Sequence, residues 1–150
     1  MSLRERVDQA VRERRFDDLE NIVSQEPGAL RHLVRKMYDV NEEIRRAAAR
    51  GIALATRHHP RAVEQIIKRL VWAMNDESGT NAPHAPEVLH EIALENPRLL
   101  VPVAPDLVRL AGDLLLYDEL AEVLREIVRQ CPGEVGRGIT DALNRSEKRV

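Results

Sequence analysis

The residues Gly28-Ala-Leu-Arg-His-Leu-Val-Arg-Lys-Met-Tyr-Asp39 and Val40-Asn-Glu-Glu-Ile44-Arg45-Arg46-Ala-Ala48-Ala-Arg50-Gly51-Ile52-Ala53, running on to His59-Pro60, decide the fold. In the first half, Leu30, Leu33, Val34 and Met37 recur at the three-and-four spacing that sets side chains on one face of a helix. In the second half Ile44, Ala47, Ala48, Gly51, Ile52 and Ala55 do the same with mostly small residues. Small side chains let a helix axis lie close to its neighbour. The stretch therefore predicts two helices packed tightly as an antiparallel pair.

The punctuation of this pair resembles a HEAT-type helical repeat, of the HEAT/PBS-lyase kind. Such a repeat carries an Asp at the end of its first helix and an Arg early in its second; the two pair and stack into a ladder. Asp39 and Arg45 stand at that spacing, with Ile44 before the Arg and Ala48 three residues after it. The resemblance implies an all-α, right-handed α-α superhelix, a HEAT-like solenoid of about four helical hairpins. It also implies a non-enzymatic role, as a scaffold or adaptor that binds another protein.

Working outward, the same punctuation returns. Asp39, Asp76 and Asp113 are each 37 residues apart, and Pro27, Pro60, Pro97 and Pro132 follow at 33, 37 and 35. Ile52, Leu89 and Leu124 each stand eight residues before the closing Pro of their unit. Two helices per unit at this period are the mark of an α-solenoid, and the large aromatic positions of tetratricopeptide repeats are absent. The chain divides into N-terminal capping helices (1–27), repeats at 28–60, 61–97 and 98–132, and a C-terminal helix with a basic tail (133–150). The Asp–Arg pair belongs to the first repeat alone: the position of Arg45 falls on Ala82 in the second and near Tyr117 in the third.

Local signals place the helix ends. Leu3, Val7, Ala10 and Val11 predict a helix over 3–14, and Asp17-Asp18 are good capping residues for the next. Pro60 opens a helix carrying Val63, Ile66, Ile67, Leu70, Val71 and Met74 on one face. A polar break from Glu77 to His84 ends before Ala85-Pro86, where Pro suits the first turn. Pro102 and Pro105 lie inside the next pattern and are expected to delay or kink its helix. Asp118 reads as the cap of the stripe Leu120, Val123, Leu124, Ile127 and Val128, and a weak last helix follows.

Composition narrows the chemistry. Aromatic residues are 3% of the 150, too few for a base-stacking platform. The one cysteine, Cys131, admits no internal disulfide and no four-thiolate metal site. With no long apolar run and a charged opening helix, a cytoplasmic protein with no membrane segment is expected. The net charge of −2 is unevenly placed: residues 1–70 hold 15 Lys/Arg against 11 Asp/Glu, and residues 71–150 hold 8 against 14. Such a dipole would steer a charged partner or favour head-to-tail homo-oligomers.

Candidate contact residues lie in two places. Arg46, Arg50, Glu87, Glu91 and Glu122 fall on the second helices of the pairs. Trp72-Ala-Met-Asn75-Asp76-Glu77-Ser78-Gly79, with the loop to His84 and then Pro86-Glu87, is similar to a hairpin run of small HEAT-like proteins. It gathers Asp76, Glu77, Ser78, Asn81 and His84 at one edge, where a positioned loop suits a partner contact.

The residues bear on three other readings. His90-Glu91 resembles one of the His-Glu dipeptides of deoxyhypusine hydroxylase, a HEAT-like di-iron enzyme, but that family uses four and this chain has one. No spacing among His58, His59, His84 and His90 matches a standard metal site, so no cofactor is expected. The rival is nucleic acid: some HEAT-like DNA glycosylases hold duplex on a basic surface. Here Arg45, Arg46 and Arg50 with Arg31, Arg35 and Lys36 would supply phosphate contacts, against an overall pI of about 6.2.

Overall fold

Helix begins at Leu3 because the Ser2 hydroxyl accepts the Glu5 N–H at 3.1 Å and satisfies a donor the first turn leaves open. In the computed structural model, which describes residues 1–75, 82–111 and 118–148 (without the side chains of 118, 142 and 145–148), this is α1, Leu3–Arg12. The others are α2 Phe16–Gln25, α3 Ala29–Lys36, α4 Glu42–Leu54, α5 Pro60–Met74, α6 Ala85–Glu95, α7 Ala104–Ala111, α8 Asp118–Gln130 and α9 Arg137–Lys148. Short 3-10 segments cover Ala55–Arg57 and Pro97–Val103. No strand occurs among the described residues, and the protein is all-α.

Most helix ends follow the sequence signals. Asn41 caps α4, its side-chain oxygen taking the Glu43 N–H at 2.8 Å and the Ile44 N–H at 3.4 Å. Pro60 opens α5 and Pro86 stands in the first turn of α6. Pro102 holds 97–103 in the tighter 3-10 form, and the α-helix starts only at Ala104.

Two expectations need correction. α1 stops at Arg12, not 14, because Arg14 adopts a left-handed φ of 54°. The Arg15 N–H then reaches the Ala10 carbonyl at 2.9 Å and the Arg14 N–H the Val11 carbonyl at 3.2 Å, a Schellman closure with Arg where Gly is usual. Asp17 and Asp18 lie inside the first turn of α2, whose cap residue is Arg15 with no side-chain cap bond. They act there through the helix dipole.

The core follows from the stripes. One cluster of buried side chains extends from Val7 in α1 to Leu143 in α9. Ile52, Leu89 and Leu124, the residues eight before each Pro, are all fully buried. α4 packs on α6 and α6 on α8, so the three second helices adjoin in chain order, with α3 against α4 and α7 against α8. α5 rests mainly on the two 3-10 segments rather than on α6.

α4 is the crowded element. It touches α1, α2, α3 and α6, and Ala47, Ala48, Ala49, Gly51, Ile52 and Ala53 are buried along it. A methyl built on Gly51 would stand 2.6 Å from Leu19 Cδ2 and 3.2 Å from both Leu19 Cγ and Leu33 Cδ1. Leu19 and Leu33 are fully buried and have nowhere to swing.

Gly51→Val is therefore expected to destabilise the fold by about 3 kcal/mol, since overpacking outweighs any gain in helix propensity. Urea unfolding followed by circular dichroism measures it; a stability equal to wild type would disprove the close approach of α2, α3 and α4.

Candidate functional site

The most elaborate polar surface lies on the flank of α4 away from Gly51, where its arginines reach α6 and α8. Arg45, Arg46 and Arg50 fall within about one and a half helical turns. Each meets a carboxylate from a later unit. Arg45 donates from Nε to Glu87 Oε2 at 3.2 Å, and both side chains are 11% exposed. Arg46 Nη2 reaches Glu119 Oε1 at 2.7 Å, and its Nε lies 3.9 Å from Glu87. Arg50 Nη1 reaches Glu95 at 3.1 Å and lies 3.9 Å from Glu91.

A second rung crosses three units. Arg57, just past α4, bonds Glu95 of α6 through Nε and Glu20 of α2 through Nη1 at 3.3 Å. His58 Nε2 lies 3.0 Å from the same Glu20 carboxylate. These partners are 37 and 38 residues apart in sequence, close to the repeat period.

This geometry settles where each candidate residue stands. Arg46, Arg50, Glu87 and Glu91 are joined to one another across α4 and α6. Glu122 is exposed on α8. His84, half-exposed, places Nδ1 3.7 Å from the Glu87 carboxylate. Asp76, Glu77, Ser78 and Asn81 lie outside the described residues, as does Asp113.

The expected Asp39–Arg45 pair takes a different form. Arg45 Nη1 donates to the main-chain carbonyls of Asp39 at 2.9 Å and Val40 at 3.2 Å, while the Asp39 carboxylate accepts the Asn41 N–H at 2.8 Å. The guanidinium thereby ties the turn before α4 to α6, and the Asp carboxylate is used to shape that turn. The N–H of the cap residue itself thus competes with Arg45 for the Asp39 carboxylate.

Protonation follows the same partners. The His58 hydrogen bond, followed by those of Arg57, lowers the Glu20 carboxyl below its ordinary 4.5 despite some burial. Burial disfavours the charge of Arg46, but the Glu119 and Glu87 carboxylates outweigh it and raise its pKa. The Glu119 Oε2 atom is buried without a hydrogen-bond partner. Burial, with Glu134 beside it, raises the Cys131 thiol, which suits a core residue rather than a thiolate nucleophile.

Metal and nucleic-acid chemistry fare differently from this arrangement. Among the described residues no three His, Cys, Asp or Glu side chains converge as metal ligands. The basic set named for phosphate contacts is largely paired: Arg45, Arg46 and Arg50 with carboxylates, and Lys36 with Asp8. No helix among the described residues is long and apolar enough to cross a membrane.

Sequence reasoning missed one feature. Trp72, the only tryptophan, is 75% exposed on α5. The signal was present, because Trp72 falls on the side of the helical wheel opposite Val63, Ile66, Ile67, Leu70, Val71 and Met74. Compared with protein-family models, curated proteins and solved structures, the chain matches none, and no family is identified for it.

Two outcomes test the ladder. Glu87→Ala strands the Arg45 guanidinium and is expected to cost about 3 kcal/mol, whereas Arg45→Met/Glu87→Leu stays within about 1 kcal/mol of wild type. Additive losses in that double-mutant cycle would show that the two groups do not interact. The depressed Glu20 carboxyl stabilises the fold above its ordinary 4.5, and that contribution disappears as pH falls through the lower folded value. The stability gap between wild type and Glu20→Gln, measured by urea unfolding, should accordingly close on acidification below 4.5. A gap that is constant with pH would remove the His58–Glu20–Arg57 rung.

Proposed function

We propose that this chain is a HEAT-like helical-repeat solenoid that works without catalysis, as a scaffold or adaptor for another protein. Two features support the repeat reading: α4, α6 and α8 adjoin in chain order, and the acids that Arg57 and His58 meet stand 37 and 38 residues away, close to the 37-residue spacing. The observation that carries the binding reading is the exposed Trp72. A chain with so few aromatics gains nothing in the free state from leaving its one indole in water. Covering it is worth about 4 kcal/mol by area, and tryptophan is enriched among the residues that dominate interfaces.

The charged second-helix residues play a different part in this proposal. Arg46, Arg50, Glu87 and Glu91 hold the units together, so a partner would meet the outer helices first. Nucleic acid is the weaker reading, because freeing α4 for phosphates would break the pairs that join α4 to α6 and α8.

The test is recovery of a stoichiometric partner from native lysate with and without nuclease, using wild type and Trp72→Ala. A protein that survives nuclease and is lost with Trp72→Ala, whose melting temperature matches wild type, is the expected result. Recovery that collapses with nuclease would transfer the function to nucleic acid, and no recovery at all would sink the adaptor reading.

A further inference from the structure

The outer face of α5 sets exposed cations beside the exposed Trp72. At 100° per residue, Arg61, Gln65, Lys68 and Trp72 fall within about 60° of one another, with Arg69 beside them. All five are exposed. Glu64, at the margin of this face, is the sole acid in the α5 sequence. On α4 each arginine has a carboxylate; on α5, among the described residues, Arg61, Lys68 and Arg69 make no ion pair. Nearby, Arg109 of α7 reaches Asn75 at the end of α5 with Nη2, and also pairs with Asp106.

Three unneutralised cations beside an exposed indole define a ligand by complementarity. We propose that this face docks a short acidic segment of another protein, which sets carboxylates over Arg61, Lys68 and Arg69 and an apolar side chain against Trp72. The proposal rests on the protein-binding reading above and names the chemistry of the partner. From Arg61 to Trp72 the strip is about 16 Å long, which suits about five extended residues or three turns of helix. A long polyanion is a poorer match: the chain is net −2 and its second half strongly acidic, so phosphates beyond the strip would be repelled. Exposed cations add orientation and capture rate, while the indole, once covered by the partner, supplies the affinity.

The experiment places a photo-cross-linking benzoylphenylalanine at position 72 of the full chain, with exposed position 122 as the comparison, in native lysate. The expected adduct at 72 is a protein segment in which acidic residues outnumber basic ones. A synthetic peptide of that segment should blue-shift Trp72 emission and bind roughly tenfold or more weakly to Lys68→Glu/Arg69→Glu. That variant must melt at the wild-type temperature, since both side chains are exposed. A neutral or basic segment, a nucleic-acid adduct, or unchanged binding by the charge-reversed variant overturns the assignment. An adduct at 122 alone overturns the α5 site and leaves the adaptor reading standing. No adduct at either position, with no partner recovered by affinity, removes both.

Discussion

The close approach of α4 to its neighbours is the constraint on which the remaining packing depends. Gly51 leaves room only for Leu19 and Leu33, and the alanines around it keep the same distance along the helix. Ala49 and Ala53 carry the small surface round to the flank that bears Arg45, Arg46 and Arg50, so α6 also packs closely there while the long guanidinium arms reach acids of α6 and α8. One helix thus closes the apolar core against α1, α2 and α3 and joins the polar flank to the later units.

The charge asymmetry of the sequence acquires a meaning from this arrangement. An excess of basic residues in the first half and of acidic residues in the second would suggest an external dipole. Much of it is instead spent inside the fold, as first-half arginines meet Glu87, Glu91, Glu95 and Glu119. Half-exposed pairs such as Arg57–Glu95 add little stability one by one, because solvent screens them. The more enclosed Arg45–Glu87 pair acts mainly on specificity. A register shift of α6 against α4 would separate the two charges while they stay largely buried, which is costly even where the correct pair is nearly neutral.

Trp72 and its basic neighbours stand apart from this economy. They lie on a helix seated on two 3-10 segments, with its apolar stripe fully used and its outer face carrying charges that no described residue answers. An indole in water adds nothing to the core, which is why the proposed docking face is placed there rather than on α4.

The helices, most of their boundaries, and the faces they turn inward were legible in the residues alone, because each depends on spacing and on caps within a few positions. Pro60, Pro86 and Pro102 act on the turn in which they stand, and Ile52, Leu89 and Leu124 lie where the period puts the core. The end of α1 was misjudged because Arg14 took a left-handed conformation that local preference assigns to glycine. The partner of Arg45 was not legible at all. A long cation on a helix flank has several acids within reach of its backbone position, and only the placement of α6, 42 residues away, selects Glu87 over Asp39. The same holds for Arg57 between Glu20 and Glu95, and for the indole left in water on α5. Contacts across units depend on how the helices stack, and stacking is set by the whole core at once.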